Sequence, residues 1–157
     1  MDDSSLEALD LEPARLATGY VAAGNEGPPE SWQSNLFSIP AAGMPDGGMI
    51  TTAHDLARLV ERWLDGSLMS PELAAAMRTP QGSPSEAIER YGYGCKLVVE
   101  HGEVTSFGHS GFDPGVSAFV SHHCRAATTI VVLCNYDRGA REAKQRVEEA
   151  FELSGGR

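Results

Sequence analysis

The chain has 157 residues and a formal net charge of −10, and 41% of its residues are hydrophobic. That length suits one globular domain, which buries roughly 68–70% of the surface of its unfolded chain. Its 12 lysines and arginines are scattered among 22 acidic residues, so they form no basic run for a nucleic-acid backbone or an anionic membrane. We therefore expect neither nucleic acid nor membrane among its partners.

The cysteines, Cys95, Cys124 and Cys134, are too few and too far apart for a disulfide framework, so we expect free thiols. No apolar run approaches the ~18 residues of a membrane-spanning helix. The acidic start lacks the basic and apolar regions of a signal peptide. The chain as given is thus predicted to be cytoplasmic, whereas a longer parent protein could be secreted, so the compartment stays open.

Residues 1–47 are rich in glycine, proline and serine and show little periodicity. They predict mostly loop, with one short strand at Leu16–Ala22. So long a stretch without regular structure is unusual in a self-sufficient domain. It suggests that a partner segment is missing from this sequence.

Residues 52–78 predict two helices. The first runs from Thr52, which can cap it, to Asp65, and Gly66 ends it. The second is short, beginning at a Ser70 cap and ending near Arg78. The first helix has an apolar stripe at three- and four-residue spacing, made of Leu56, Leu59, Val60, Trp63 and Leu64.

From residue 91 to residue 135 the pattern is typical of an antiparallel sheet. The predicted strands are Tyr93–Glu100, Val104–His109, Gly115–Ser121 and Thr128–Asn135. Because the last of them is apolar nearly throughout, we expect it to be a central strand covered on both faces.

Residues 139–153 return to a helical pattern, which predicts a helix packed on the sheet. We expect its apolar stripe, from Ala143 to Phe151, to face the sheet, and its charged residues, including Lys144 and Glu148, to face solvent. The predicted fold class is α+β: an antiparallel sheet of three to four strands, a C-terminal helix packed on it and two preceding helices.

The adjacent His122 and His123 raise the question of a metal site. Neighbouring residues of a strand point to opposite faces and would share one ion poorly. A polar turn over residues 122–127 is the better interpretation, and we expect no metal and no cofactor.

Six short motifs occur in an informative order along the chain. They are Ala14–Tyr20, Gly47–Arg58, Leu68–Glu72, Tyr91–Gly94, His109–Gly111 and Pro114–Phe119. Together they resemble the C-terminal half of the serine hydrolases that include class C β-lactamases, DD-peptidases and related esterases. The resemblance implies a partial β-lactamase/transpeptidase-like fold, with residues 1–157 forming one unit, the C-terminal part of a serine hydrolase domain.

Two motifs of that family are absent from the printed sequence. The only lysines, Lys96 and Lys144, do not follow a serine by three residues, so there is no S-x-x-K nucleophile motif. None of the four tyrosines precedes an asparagine by two residues, so there is no Y-x-N either. The sequence therefore resembles one wall of an active site without its nucleophile.

The resemblance implies roles for the third-motif residues. His109 would orient the substrate and assist proton transfer, and Ser110 would hydrogen-bond a substrate carboxylate or carbonyl. Gly111 would let the substrate lie close to the strand. The backbone N–H of Phe112 would be an oxyanion donor, a role worth about 2.7–4 kcal/mol of barrier. Tyr93 is a further substrate-binding candidate, on a strand that borders the cleft.

A histidine titrates near ~6.5, so we expect the parent's activity to change between about pH 6 and 7.5 through His109. A parent in which His109→Lys leaves the pH profile unchanged would contradict this expectation. The competing interpretation is that His109 is a strand histidine with satisfied hydrogen bonds and no role in a site.

Three functions remain open at this stage. The first is an ester-, amide- or peptide-hydrolysing enzyme fragment that is inactive alone. The second is a stand-alone module that binds ligands or self-associates without catalysis, and the third is one half of a split enzyme. The expected partners are a small-molecule substrate, acting through the parent enzyme, and the missing N-terminal half. Because the last strand would otherwise be an unpaired edge, a homodimer is also expected of the isolated chain.

Overall fold

The computed structural model describes residues 1–6, 16–23, 31–38, 43–82 and 87–153. These residues form a five-stranded antiparallel sheet, a two-stranded antiparallel sheet and three α-helices, so the α+β prediction is confirmed. The main sheet has one strand more than predicted, because Glu89–Tyr91 is a strand. No helix in these ranges is long and apolar enough to cross a membrane.

The strands follow the chain in a simple order. They are β1 Tyr20–Ala23, β2 Ser31–Ser34, β3 Glu89–Tyr91, β4 Lys96–Glu100, β5 Glu103–Asp113, β6 Val116–His123 and β7 Thr128–Cys134. The helices are α1 Ala53–Leu64, α2 Pro71–Met77 and α3 Gly139–Ala150. β1 and β2 form the small sheet, and β3 to β7 lie side by side in chain order in the large one.

The N-terminal region contains more regular structure than predicted. The strand expected at Leu16–Ala22 is β1, which starts four residues later and pairs with β2. A 3-10 turn at Leu36–Ser38 follows. Residues 7–15, 24–30 and 39–42, which belong to the predicted loop region, lie outside the described residues.

Both predicted helix starts are capped as expected. The Thr52 hydroxyl accepts a hydrogen bond from the Asp55 N–H at 3.2 Å, and the Ser70 hydroxyl accepts one from the Leu73 N–H at 3.3 Å. Such caps supply partners for backbone donors that the first turn of a helix leaves unpaired. The sequence therefore fixes where α1 and α2 begin.

The Asp55 side chain fastens the N-terminal segment to α1. It is 1% exposed and accepts hydrogen bonds from the Asp3 N–H at 2.9 Å and from the Ser4 hydroxyl at 2.7 Å. The Ser4 hydrogen bond is the main cause that lowers the pKa of Asp55. A buried carboxylate needs such donors, so residues 3–5 are part of the fold.

The core lies between the sheet and the two helices that precede it. Phe107 and Leu97, from β5 and β4, are 2% and 1% exposed. The Phe107 ring meets Trp63 of α1 edge to face, with 4.7 Å between the ring centroids. The Arg78 guanidinium lies 5.5 Å from the centroid of the same ring. This packing fixes β5 against the helices.

The prediction that residues 128–135 form a central strand is wrong for the described sheet, although α1 and α3 both contact β7. β7 is its last strand and pairs only with β6. Ile130 is buried, whereas Leu133 is 39% exposed. An apolar run resembles a central strand in sequence whether or not its second neighbour is present, so composition alone did not distinguish the two cases.

The predicted polar turn over His122 and His123 is also wrong, because both residues belong to β6 and are buried. The turn comprises residues 124–127. His122 Nδ1 is hydrogen-bonded to the Thr129 hydroxyl at 2.9 Å, whereas His123 Nε2 lies 3.0 Å from a carboxylate oxygen of Glu148 in α3. These partners explain how two polar side chains are accommodated in a strand.

The orientation predicted for α3 is wrong as well. Glu148 turns inward to His123, and Lys144 lies 2.6 Å from the same carboxylate. By contrast, Phe151 at the end of the helix is 70% exposed, and Ala140 is fully buried. The histidine on β6 supplies a polar partner that the helical pattern alone could not reveal.

Because His122 is buried, we expect the free energy of unfolding to decrease at acid pH. Burial, followed by the charges of His123 and Arg78, lowers the pKa of His122 from its ordinary value of 6.5. The unfolded chain therefore takes up the proton first as the pH falls. The contribution to stability is complete above about pH 6.5 and is lost as the pH falls through the lower pKa of the folded state.

We expect His122→Gln to flatten this acid dependence when the free energy of unfolding is measured in urea between about pH 7.5 and 5. The control is His101→Asn, at an exposed turn position. If the two variants and the unmodified chain lose the same stability over this range, His122 is not the responsible group.

Candidate active-site wall

The strand β5 is longer than its neighbour β4 and continues past it. β4 pairs with β5 only as far as Lys96 opposite Gly108, whereas β6 pairs with β5 out to Asp113. Among the residues that the structure describes, residues 109–113 therefore have a strand neighbour on one side only. Such an edge presents backbone N–H and C=O groups that can pair with an extended ligand.

His109 is the first residue of this open stretch, and its side chain is exposed. Its Nε2 is hydrogen-bonded to the Tyr91 hydroxyl. The two rings stand nearly perpendicular, with an interplanar angle of 87° and 5.9 Å between their centroids. The orientation of the imidazole is thus set by a residue of β3.

Sequence reasoning missed Tyr91 and chose Tyr93 from the same motif. Tyr93 lies in the loop between β3 and β4, its side chain is 57% exposed and its N–H donates to the Met77 carbonyl at 3.2 Å. Tyr91 instead is the strand residue opposite Lys96. The available signal was the tyrosine pair itself, but only the strand register tells which of the two meets His109.

Ser110 is half-buried, and its hydroxyl accepts a hydrogen bond from the Lys96 ammonium at 3.0 Å. Because side chains alternate along a strand, Ser110 and His109 project to opposite sides of β5. Tyr91 of β3 contacts His109, and Lys96 of β4 contacts Ser110.

Gly111 and Phe112 complete the open stretch. A Cβ added at Gly111 would meet no atom within 4 Å, so space is open beside this residue. The Phe112 side chain is 79% exposed. All four third-motif residues proposed from the sequence therefore lie together on the free part of β5, while Tyr93 lies apart in its loop.

Two shallow cavities lie on this part of the sheet. One, of ≈ 380 Å³, is lined by Glu89, Arg90, Tyr91 and Lys96. The second shares Glu89 and Lys96 and extends along β5 and β6 towards α3; its lining also includes His109, Ser110, Phe119 and Lys144. Both cavities are open to solvent, as one wall of a larger site would be.

Within the described ranges, no group of three or more histidine, cysteine or acidic side chains could hold a metal ion. His122 and His123 have separate partners, Thr129 and Glu148. The three cysteines are free, with Cys95 buried and Cys124 exposed.

The family model of the β-lactamases matches residues 1–154. The fold agrees with that match, since it corresponds to a part of a serine β-lactamase/transpeptidase-like fold. The chain belongs to the β-lactamase family. No curated protein matches it.

Solved structures of penicillin-binding proteins are similar to the chain. A penicillin-binding protein from Bacillus halodurans has 29% sequence identity and a TM-score of 0.85, and the match covers 94% of this chain and 44% of that one. The octameric penicillin-binding protein homologue from Pyrococcus abyssi has 22% identity and a TM-score of 0.76, over 97% of this chain and 34% of that one.

A D-stereospecific amidohydrolase from Streptomyces sp. shares the fold as well. It has 19% identity and a TM-score of 0.67, and the match covers 98% of this chain and 45% of that one. The chain thus spans between 34% and 45% of the length of these three proteins. It corresponds to a part of the fold that they have in common.

Gly108 and Gly111 of β5 provide a test of whether the space beside the free part of the strand is open. At Gly108 an added Cβ would lie 2.0 Å from the Val120 carbonyl oxygen, so backbone must move. We expect Gly108→Ala to lower the free energy of unfolding by ~1–3 kcal/mol, as overpacking does.

Gly111→Ala is the matched variant, and we expect it to change stability by less than about 1 kcal/mol, because it fills open space on a strand. Urea unfolding of the two variants measures both effects. If Gly111→Ala destabilises the chain as much as Gly108→Ala does, the space beside Gly111 is not open.

Proposed function

We propose that this chain is the C-terminal part of a β-lactamase-like serine hydrolase, in which it supplies the third-motif wall of the active site and is inactive alone. The observation that carries the proposal is the free edge of β5 over residues 109–113, where His109, Ser110 and Gly111 lie together. The absence of an S-x-x-K motif from the printed sequence supports the proposal that the chain is inactive alone.

The substrate in this proposal is an acyl compound, an ester, an amide or a peptide, that lies along the free edge of β5. Backbone groups of the strand pair with it, and the space beside Gly111 admits it closely. The N–H of Phe112 donates to the oxygen that becomes negatively charged when the carbonyl is attacked. This wall thus binds and orients the reacting group.

His109 assists proton transfer to or from the reacting group, and Tyr91 is its positioning residue. A hydrogen bond on one ring nitrogen fixes the orientation and the tautomer of an imidazole. The serine nucleophile and its base come from the missing N-terminal part, and water hydrolyses the acyl-enzyme that forms. The reaction requires both parts to be assembled.

Two alternatives follow from the same observations. The N-terminal part belongs either to the same polypeptide or to a second chain, which would make a split enzyme. A stand-alone ligand-binding module is favoured by the intact wall and by the absence of a nucleophile motif in the printed sequence. Catalysis in a reconstituted mixture separates the hydrolase interpretations from the binding module.

The edge of β7 is the proposed contact with the missing part. Within the described residues this strand pairs only with β6, and Leu133 is 39% exposed. An unpaired apolar edge recruits another strand, from the N-terminal part in the whole protein or from a second copy in isolation. Self-association of the isolated chain is part of the proposal, and the related Pyrococcus protein is an octamer.

The test is reconstitution with the upstream polypeptide that carries S-x-x-K, followed by labelling with a fluorophosphonate serine probe. We expect labelling and ester hydrolysis in the mixture and none with the chain alone. His109→Asn should lower turnover by roughly 10²–10⁴-fold, the usual contribution of a general acid or base. His101→Asn, at an exposed turn, is the matched control.

Tyr91→Phe retains the ring and removes only the hydroxyl that bonds His109. We expect a roughly tenfold loss of turnover, about the worth of one hydrogen bond. A positioning role also requires that the pH profile of turnover differ from that of the unmodified protein. If no mixture is acylated while ligands still bind, the chain is a binding module and the proposal fails.

A further inference from the structure

The two residues that join β5 to β6 form a turn whose twist does not match the strands. Asp113 pairs with Val116, so Pro114 and Gly115 make up the whole loop. Proline fixes φ at about −65°, and Gly115 has a φ of 79°, which is the combination of a type II turn. Two-residue hairpin loops favour the mirror-image turns, because a type II turn splays its strands. The tip of this hairpin therefore needs support from outside.

Among the described residues, the sheet itself gives this tip little support. The pairing of β6 with β7 stops at Ser117, and β4 covers β5 only as far as Gly108. The side chains of Phe112 and Val116 are 79% and 41% exposed, so apolar packing does not hold the tip either. Residues 113–116 thus extend beyond both strands that flank the hairpin.

Asn35 reaches the tip from the small sheet. It directly follows β2, it is 5% exposed, and its side-chain Nδ2 donates to the Pro114 carbonyl at 3.0 Å. A Cβ added at Gly115 would lie 2.5 Å from Asn35 Cβ, and one added at Gly19 would lie 2.5 Å from Asn35 Cγ. The asparagine side chain therefore fills a slot between two glycines, one before β1 and one in the turn.

The segment that carries Asn35 is itself fastened to the large sheet. The Asn35 N–H donates to the Gly19 carbonyl at 2.9 Å. The Tyr20 N–H donates to the Asn135 carbonyl at 2.8 Å, and the Asn135 side-chain amide donates to the Thr18 carbonyl at 3.1 Å. The small sheet thus forms a bridge from the end of β7 to the tip of the β5–β6 hairpin.

We infer that Asn35 is a positioning residue of the active-site wall: through Pro114 it fixes the tip of the β5–β6 hairpin and, with it, the direction of the Phe112 N–H. This inference rests on the proposed function, in which that N–H is the oxyanion donor. Such a donor stabilises the transition state only when it points to the position that the oxyanion takes. Asn35 does not touch the substrate in this role, since it acts through the turn.

The alternative is that Asn35 only fills space. Its Oδ1 is buried and has no hydrogen-bond partner among the described residues. A buried carbonyl oxygen without a partner lowers stability, so a leucine, with the same branching, would fill the slot at less cost. What the asparagine has and a leucine lacks is the hydrogen bond to Pro114. The two roles are therefore separated by exchanging one for the other.

The first test compares Asn35→Leu with the unmodified 157-residue chain by NMR. The variant retains the branched side chain and removes the donor. We expect the heteronuclear NOE values of the amides of residues 112, 113, 115 and 116 to fall, because the tip becomes mobile on the picosecond-to-nanosecond timescale. The amides of residues 104–107, in the anchored part of β5, should keep their values.

Asn135→Leu is the matched control. It also removes an amide that donates to a backbone carbonyl, but that carbonyl belongs to Thr18 and not to the hairpin. It should leave the NOE values of the tip unchanged. Unchanged values in Asn35→Leu overturn the inference, and so does an equal fall in both variants. If Asn35→Leu does not unfold cooperatively, Asn35→Ala, which adds no bulk, replaces it with the same expected results.

In the reconstituted enzyme, Asn35→Leu should lower kcat roughly tenfold and leave KM within about twofold, because the oxyanion contact is made in the transition state. The pH profile of turnover should not change, since His109 keeps its contact with Tyr91. A variant that raises KM without lowering kcat overturns the positioning role, and so does an altered pH profile.

Acylation of the unmodified mixture tests the proposed function by itself. If the mixture is acylated but Asn35→Leu leaves kcat unchanged, only the role of Asn35 fails. If no mixture is acylated although the tip becomes mobile in Asn35→Leu, the hydrolase proposal fails, and Asn35 supports a hairpin that has no part in catalysis.

Discussion

The unequal lengths of β4 and β5 are the constraint on which the rest of the site depends. β5 has 11 residues and β4 has five, so the sheet protects only the first part of β5 on that side. Phe107, packed against Trp63 of α1, anchors the strand just before the free part begins. Because β6 pairs with β5 out to Asp113, the five residues after Gly108 are held in register while their other side is free. A strand that is paired on one side and free on the other can bind an extended ligand without rearrangement.

Side chains of β3 and β4 contact the residues of this free edge. Tyr91 and Lys96 are register partners in β3 and β4, yet they contact different residues of β5: Tyr91 reaches His109, and Lys96 reaches Ser110. An imidazole and a serine hydroxyl are therefore both contacted from one short hairpin. In the proposed enzyme, this hairpin would set the orientation of the imidazole.

The molecule has a closed core on one face of the sheet and, at one edge, a strand, β7, whose outer side is unpaired within the described residues. The core between β4, β5 and the two preceding helices is closed, with Leu97 and Phe107 almost fully buried. On the far side, His123 and Lys144 share the Glu148 carboxylate and hold α3 on β6. Within the described residues, β7 pairs only with β6 and is one of the two edges of the large sheet. Since the chain spans 34–45% of its structural neighbours, an N-terminal part is the proposed partner of that edge.

The sequence by itself determined the class, the two capped helices and the strand that carries the third motif. These features depend on local spacing and caps, such as Thr52 and Ser70, which need no distant partner. Only the tertiary structure decided which tyrosine meets His109, that Lys96 reaches Ser110, and that His122 and His123 are strand residues. The reason is physical: register and cross-strand pairing join residues about 14 to 25 positions apart, and a one-residue change of register turns every side chain to the other face.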